Sequence, residues 1–250
     1  MARMTAHRLS PCWLFRSGVC AVLLGWSLLP TSAVAQSCPP SARASLSFEV
    51  ALAPIERNDG LSIAQLARQP GRAPGPAGSA RGHVLGLTQA RYGEQSQISA
   101  QFQPMSDGSF CASLKTMTVS FGFQQRVVLV ARELPTASCI FREVLEHEMK
   151  HIAVDEALLR EAAPQIRRRL EETLAQFEPV RVRGENQAMQ AFRRRLDATM
   201  RAIMQEFGRE RDQRQAQVDT AEEYERVSKS CGGEVRDYLP KPNPTNRRTG

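Results

Sequence analysis

Residues 140–163 decide the fold, and they read IFREVLEHEMKHIAVDEALLREAA. The stretch contains no glycine or proline, and its apolar residues recur at the spacing of an amphipathic helix. Thr136 or Ser138 is the expected N-cap, because its side-chain oxygen can accept a hydrogen bond from the first helical turn. Pro164 is expected to kink the helix or to restart it. The predicted apolar stripe contains Phe141, Leu145, Ile152 and Leu159.

Within this helix, residues 147–151 spell His-Glu-Met-Lys-His, which is the pattern H-E-x-x-H. The four-residue spacing places His147 and His151 on one helical face, where both imidazoles can bind one Zn²⁺ ion. Glu148 would lie beside the metal without binding it, so it can take a proton from a zinc-bound water and pass it to a leaving amine. We therefore predict zinc ligands at His147 and His151 and a catalytic residue at Glu148. The alternative is a surface helix with two incidental histidines.

A second long helix follows the first. The first helical pattern runs to about Phe177, and residues 179–184 then interrupt it. Because so few residues separate the two helices, we expect an antiparallel hairpin within a helical part at 135–238. Residues 239–250 are expected to be a disordered tail. The apolar stripe of the second helix contains Met189, Phe192, Leu196, Met200, Ile203 and Phe207.

The preceding part, residues 36–134, has the period-two patterns that are typical of β-strands. Residues 112–123 and 126–131 are two strands that could form a hairpin at Gln124-Gln125, and Asp107-Gly108 marks an earlier turn. Residues 69–82, rich in glycine and proline, are an expected exposed loop. We therefore predict an α+β fold, in which a small N-terminal antiparallel sheet precedes a long C-terminal helical hairpin carrying the H-E-x-x-H helix. Further strand-like stretches are 45–52, 83–88 and 96–102.

Residues 1–35 have the pattern of a cleavable secretory signal peptide. A basic start precedes an apolar run at 17–29, and Ala33-Val34-Ala35 fits a small-x-small cleavage site. An N-terminal membrane anchor is the alternative, but the apolar run is short for a membrane span. The sequence therefore predicts a secreted or periplasmic protein without stable membrane insertion after cleavage.

Four cysteines follow the predicted cleavage site: Cys38, Cys111, Cys139 and Cys231. An even number in an exported chain predicts two disulfides, and three pairings are possible. We favour Cys111–Cys139, which would join a strand to the start of a helix, and Cys38–Cys231, which would join the two ends. A four-cysteine zinc site is disfavoured because the chain has no C-x₂-C pair.

The charge of the chain lies mostly at its ends. The 250 residues carry 33 Lys and Arg against 26 Asp and Glu, a net charge of +7. Residues 1–35 hold three arginines and no acid, and residues 239–250 add three further basic residues, so the remainder has a net charge of +1. A nearly neutral body argues against nucleic-acid binding, which needs clustered Lys and Arg.

A last strand at 126–131 followed by the helix with His147-Glu148-x-x-His151 resembles the zincin metallopeptidases. Over roughly residues 110–231 the chain is also similar to bacterial secreted proteins described as predicted zinc-dependent proteases. In those proteins a comparable helix is followed by a long helical stretch that ends near an aspartate. The resemblance to zincins implies a peptide substrate that pairs with the strand before the helix, here residues 126–131.

The chain departs from one branch of the zincins. The metzincin continuation requires a glycine and a third histidine where this sequence has Val154 and Ala157. The third ligand must therefore be an acidic residue from elsewhere, as in the thermolysin-like pattern. Asp155 continues the four-residue series, but three successive turns of a straight helix rarely converge on one tetrahedral ion. We expect Asp155 to orient a histidine instead.

Three other acids compete for the position of third ligand. Glu210 lies opposite the motif if the hairpin turns near residue 181. Asp219 precedes Thr220-x-x-Glu223, a capping box that predicts a break between helices, and such a break could turn Asp219 inward. Asp219 and Glu223 could also merely cap a helix. We choose Asp219, which the resemblance also favours, with Glu210 and Glu223 behind it.

We therefore expect an exported zinc-dependent hydrolase, most simply a peptidase acting on a peptide or protein in the cell envelope. Tyr224 could donate a hydrogen bond to the oxyanion of a tetrahedral intermediate, or it could pack between helices. One alternative is a non-enzymatic envelope interaction protein with a structural metal or none. Another is a metal chaperone or sensor, which would bind metal reversibly without turnover.

Overall fold

A computed structural model describes residues 37–70 and 83–241, so the predicted signal peptide and most of the predicted loop and tail lie outside the described residues. The described strands are β1 (Ser45–Leu52), β2 (Ile55–Asn58), β3 (Gly86–Pro104), β4 (Phe110–Val130) and β5 (Val180–Val182). The described helices are α1 (Ile63–Leu66), α2 (Cys139–Ala175), α3 (Glu185–Ala216), α4 (Ala221–Lys229) and α5 (Val235–Tyr238), with a 3-10 turn at Ser230–Gly233.

The described strands join one sheet, in which β4 is central. β3 pairs antiparallel with β4 along its whole length, from Gly86 opposite Val130 to Pro104 opposite Phe110. Since β3 occupies one edge of β4, the other three strands share the opposite edge. β5 lies beside residues 110–112, β1 beside 116–123 and β2 beside 126–129.

The prediction of a small antiparallel N-terminal sheet is wrong, although the fold is α+β. β1 and β2 run parallel to β4, whereas β3 and β5 run antiparallel to it, so the sheet is mixed. The chain returns along β3, on the far edge, before the hairpin into β4 reverses it again, and β1 and β2 therefore point the same way as β4. β5, which lies between the two long helices in the sequence, also joins the sheet by pairing with β4.

The predicted hairpin at Gln124-Gln125 is also wrong, because β4 continues through both residues. Arg91 pairs with Gln125 and Tyr92 with Phe123, which leaves Gln124 as a bulge. Tight two-residue hairpins need positive φ angles, which glutamine disfavours. The turn predicted at Asp107-Gly108 is present between β3 and β4, where Gly108 has a φ of 77°.

The two long helices form where the apolar stripes predicted them. Ser138 caps α2, and its hydroxyl accepts a hydrogen bond from the backbone N–H of Phe141 at 3.1 Å. α2 spans 37 residues in all and contains Pro164, so the proline does not end the helix. α3 packs against α2 after β5. Within the part of the chain that the structure describes, no helix is long and apolar enough to cross a membrane.

The main core lies between the sheet and the helical pair. Phe121 and Phe123 of β4 are fully buried, and Phe207 of α3 packs on both, with ring centroids 5.1 and 6.1 Å apart. α2 contacts β3 and β4 along the same side. This packing fixes the H-E-x-x-H turn of α2 over the beginning of β3 and beside the end of α3.

The two disulfides pair Cys38 with Cys111 and Cys139 with Cys231, so both predicted pairings are wrong. Because β1 runs parallel to β4, Cys38 ahead of β1 lies at the same end of the sheet as Cys111 at the start of β4. Cys231 follows α4, which packs on α2 near Cys139.

Candidate metal centre

His147, His151 and Asp219 converge on one point, and we call them the ligand triad. The Nε2 atom of His147 lies 3.3 Å from Oδ1 of Asp219, and the Nε2 atom of His151 lies 3.4 Å from the same oxygen. One ligand atom from each residue lies within 4.8 Å of the others, so the group has the spacing to hold a metal ion. The histidine and aspartate side chains are only 11%, 12% and 20% exposed.

Asp219 reaches the triad because a helix break precedes α4. α3 ends at Ala216, and Thr220 caps α4 by accepting a hydrogen bond from the backbone N–H of Glu223 at 3.2 Å. The interruption predicted by the Thr220-x-x-Glu223 pattern is therefore present. Asp219 occupies the connecting turn, where its carboxylate faces the two histidines of α2.

Glu148 is buried between α2 and β3 and is only 5% exposed. Its Oε2 accepts a hydrogen bond from the Thr88 hydroxyl at 2.8 Å. Gly86 permits the close approach of Oε1, because a Cβ atom at this glycine would lie 2.5 Å from that oxygen. Burial raises the pKa of Glu148 above its usual value, and the charges of His147 and His151 oppose this shift.

Glu223 contacts the triad from outside. Its Oε1 lies 3.3 Å from Nδ1 of His147, the ring nitrogen that faces away from Asp219. The carboxylate also accepts hydrogen bonds from Lys150 at 2.7 Å and from Arg226 at 2.9 and 3.0 Å. These bonds, with that of Arg226 the strongest influence, hold the pKa of Glu223 well below its usual range. A carboxylate only accepts, so Nδ1 of His147 donates and Nε2 is left for a metal.

Nδ1 of His151, the ring nitrogen that faces away from Asp219, has an uncharged partner. Its Nδ1 contacts Oε1 of Gln215, which lies in the last turn of α3. The amide nitrogen of Gln215 contacts the backbone oxygen of His151 at 3.0 Å and Oδ1 of Asp155 at 2.6 Å. Asp155 thus does not face the point where the triad converges. It binds Gln215 and Arg211, whose guanidinium donates to both carboxylate oxygens at 2.8 and 2.9 Å.

The triad is electrostatically coupled. Burial lowers the pKa of both imidazoles, but the hydrogen bonds to Asp219 and the charge of Glu148 outweigh burial, so the pKa of His147 and of His151 is raised. Burial raises the pKa of Asp219, but its bonds with the two histidines hold that pKa well below its usual range. Without a metal, the anionic carboxylate of Asp219 therefore favours the protonated form of both histidines.

Two remaining candidates occupy different positions. Glu210 accepts a hydrogen bond from Arg214 at 2.8 Å and its side chain is 45% exposed, so it does not join the triad. The hairpin does not bring Glu210 opposite the motif as predicted, because Gln215 is the residue of α3 that contacts His151. Tyr224 donates a hydrogen bond to Oδ1 of Asp219 at 3.2 Å, and its ring meets the His147 ring with centroids 5.8 Å apart.

The strand predicted to bind a peptide cannot do so. Residues 126–129 of β4 lie between β2 and β3, so both backbone edges are already hydrogen-bonded. Among the described residues β3 pairs with β4 alone, and its first residues, Gly86 and Thr88, contact Glu148. Among the residues that the structure describes, β3 is therefore the strand with an unpaired edge beside Glu148.

Cys139, Cys231 and Glu234 also lie close enough together to hold a metal ion by spacing alone. The two sulfurs are joined as a disulfide, so they are not available as thiolate ligands.

The chain matches no protein-family model, no curated protein and no solved structure. The function proposed below therefore rests on the residues of the ligand triad and their surroundings.

Several site residues were not identified from the sequence. The missed contacts are those of Gln215 and Arg211 in α3 and of Thr88 and Gly86 in β3. The two α3 residues could have been found from their spacing. Arg211 and Gln215 lie four residues apart and contact Asp155 and His151, which are also four residues apart on the antiparallel helix α2. The β3 residues carry no such signal, because their place depends on how the sheet meets α2.

We expect zinc affinity to depend steeply on pH. Because the pKa of both triad histidines is raised above the ordinary value of about 6.5, protons compete with the metal up to a higher pH than they would at an ordinary histidine. The apparent affinity should fall as pH decreases through these values, by up to about a hundredfold per pH unit when two protons must leave. Competition titrations with a chromophoric chelator from about pH 5.5 to pH 8 measure this. A pH-independent affinity would contradict histidine ligation.

We expect the Cys139–Cys231 disulfide to support the triad, since it ties the start of α2 to the turn after α4. The double variant Cys139→Ser/Cys231→Ser should lose about 2–5 kcal/mol of unfolding free energy and bind zinc more weakly. The matched control is Cys38→Ser/Cys111→Ser, whose disulfide joins the sheet away from α4. Chemical denaturation and zinc titration test this, and an equal loss of zinc affinity in both variants would refute it.

Proposed function

We propose that this protein is an exported zinc-dependent hydrolase, and most simply a peptidase. The observation that carries the proposal is the convergence of two imidazole nitrogens and one carboxylate oxygen, with a buried carboxylate next in the chain to His147. Three protein ligands of this kind leave a coordination position open, as catalytic zinc sites do. A structural zinc site would instead need four protein ligands.

We propose zinc because of the donor atoms together with the H-E-x-x-H spacing of the two histidines. Two imidazoles and one carboxylate, without a thiolate, form a ligand set that is typical of catalytic zinc. Glu223 and Gln215 bind the outer nitrogens of the two histidines, which favours metal binding through both Nε2 atoms. Hard cations such as Mg²⁺ prefer oxygen ligands and fit this set poorly.

When bound, zinc supplies Lewis-acid chemistry and makes water more acidic. Glu148 takes the proton of the attacking water onto its carboxylate and gives it to the leaving amine as the C–N bond breaks. Thr88 fixes one oxygen of that carboxylate, and Gly86 allows the other to approach β3. Burial supports this role, because the raised pKa of Glu148 brings it closer to neutral pH.

An extended peptide is the substrate that best fits the surroundings. No described strand pairs with the outer edge of β3 near Glu148, and a peptide could pair with that edge through backbone hydrogen bonds. The two disulfides are compatible with an extracellular location, and the predicted signal peptide at residues 1–35 supports export. We therefore place the substrate in the cell envelope or outside the cell.

The proposal is tested with a library of quenched peptides and the purified protein, with its disulfides formed and zinc added. Cleavage should occur, should stop when a chelator removes the metal, and should return when zinc is restored. Stoichiometric zinc without cleavage of any peptide would instead favour a metal chaperone, a sensor or a structural metal. Cleavage that survives complete removal of the metal would refute the zinc mechanism.

A further inference from the structure

We infer that β1 is a dimerisation edge, at which two copies of this chain pair their β1 strands antiparallel about a two-fold axis at Phe48. The inference goes beyond the proposed function, because β1 and β3 lie on opposite edges of β4. Pairing through β1 therefore does not use the edge of β3 beside Glu148, and it does not depend on a bound metal.

The outer edge of β1, which faces away from β4, combines unpaired backbone with exposed apolar side chains. Among the described strands, β1 pairs with β4 alone. Five large apolar or aromatic side chains of the described residues are exposed, and three of them follow this edge through β1 and the start of β2. They are Val50, Leu52 and Ile55, with exposed fractions of 50%, 47% and 39%. An apolar cluster at an unpaired strand edge marks a site of strand pairing.

β1 lacks the features by which edge strands usually avoid such pairing, which are lysines, prolines and bulges. Its eight residues, SLSFEVAL, contain no lysine, arginine or proline, and Glu49 is the one charged residue. Its register with β4 is continuous from Ser45 opposite Thr116 to Leu52 opposite Phe123, so no bulge bends the strand. β1 is therefore able to accept a partner strand along its length.

The backbone groups that face the outer edge belong to the apolar residues of β1. Just after the strand, the N–H of Ala53 donates to the backbone oxygen of Phe123 in β4 at 2.8 Å. Backbone groups of successive residues point to alternate edges of a strand, so the odd-numbered residues face β4 and the even-numbered residues face outward. The side chains of the even-numbered residues share the face of the sheet that packs against the main core. These outward residues are Leu46, Phe48, Val50 and Leu52.

Two constraints select the register of the pair. Outward residues must lie opposite outward residues, because only these exchange backbone hydrogen bonds and share a face. The two registers with the longest overlap are then centred on Phe48 and on Glu49. Centring on Glu49 would place two carboxylates directly opposite each other, which is destabilising. Centring on Phe48 places Glu49 opposite Ser47, whose hydroxyl can donate a hydrogen bond to it.

In this register the apolar side chains of the two copies meet across the axis. Phe48 lies opposite Phe48 of the second copy, and Val50 lies opposite Leu46 of the second copy. Each opposed pair exchanges two backbone hydrogen bonds, and Val50 gains an apolar neighbour that a single chain does not provide. The exposed side chains of Ser47 and Glu49 meet on the other face of the sheet. β1 is therefore complementary to a second copy of itself in both its apolar and its polar face.

The first measurement is the molar mass of the purified protein, with its disulfides formed. Sedimentation and light scattering cover about 1 to 100 µM, the range in which dimers of micromolar affinity dissociate. We expect the mass of two chains, falling toward that of one chain on dilution. Val50→Lys places a charge beside Leu46 of the second copy and should raise the dimer Kd at least about tenfold. Gln97→Lys, an exposed position of β3 on the far edge, is the matched control and should leave the Kd unchanged.

A charge series at two exposed positions tests the register. Ser47→Glu places like charges opposite each other at two symmetric sites, so the Kd should rise by about 2–30-fold. Adding Glu49→Lys to Ser47→Glu turns both sites into opposite-charge pairs and should return the Kd to its original value or below it. If the strands were centred on Glu49, Ser47 would lie opposite Ala51 and Ser47→Glu would have no such effect. Circular dichroism identifies the variants that keep the native fold.

A protein that sediments as a single chain at every concentration overturns the inference, and it would leave the outer edge of β1 to a strand of another protein. A dimer whose Kd is the same in the unaltered protein, in Val50→Lys and in Ser47→Glu also overturns it, because the contact would then lie elsewhere. Both outcomes are independent of the proposed function, whose failure would appear as absence of zinc binding or of peptide cleavage.

Discussion

Replacing Glu148 by glutamine is expected to leave zinc binding intact and to reduce peptide hydrolysis by about 10²–10⁴-fold. Glutamine has the same shape, and its carbonyl oxygen can still accept the hydrogen bond from Thr88. An amide cannot take a proton from water at neutral pH, so only the transfer step is lost. The measurement is kcat/KM on a cleaved peptide, together with zinc content.

The matched control for this variant is Glu146→Gln, which changes an exposed carboxylate on the same turn of α2. It should retain full activity and full zinc content. Equal activity of Glu148→Gln and the unaltered protein would contradict the role of Glu148. Loss of zinc in Glu148→Gln would show that this carboxylate holds the metal instead of moving a proton.

The second large effect is expected for Asp219→Ala. The variant removes the only oxygen that both triad Nε2 atoms approach within 3.4 Å among the described residues. Zinc affinity should fall by more than the roughly 10–100-fold that loss of an outer partner costs. Isothermal or competition titration of the folded variant measures the change. Asp212→Ala, an exposed position of α3, is the control that should bind zinc normally.

The competing ligands give this prediction its sharpest contrast. Glu223→Ala removes a partner of Nδ1 of His147, so it should weaken zinc binding less than Asp219→Ala does. Glu210→Ala should have no effect, because its carboxylate pairs with Arg214. A larger loss in Glu223→Ala than in Asp219→Ala would exchange the roles of the two acids.

The helices were predictable because their signals are local. The spacing of apolar residues in α2 and α3, the Ser138 cap and the Thr220 cap each depend on residues within a few positions of one another. The H-E-x-x-H pattern is local in the same sense. Asp219 required one further step, since only the predicted break after α3 suggested that its carboxylate would turn inward.

The sheet and the disulfides were not predictable in the same way. The period of two identifies strands such as β1 but does not tell which way each pairs. The parallel pairing of β1 with β4 depends on the return of the chain along β3, and the disulfide pairing depends on that direction. The contact of Thr88 with Glu148 likewise depends on where β3 crosses α2.

The most direct test of the metal centre is the zinc content of the purified protein with its disulfides formed. We expect one zinc ion per chain, by elemental analysis after dialysis against metal-free buffer. The variant His147→Ala/His151→Ala should keep the same circular dichroism spectrum and hold no zinc. An unaltered protein that binds no zinc, even after reconstitution with the metal, would contradict the zinc hydrolase and would favour a non-enzymatic envelope protein.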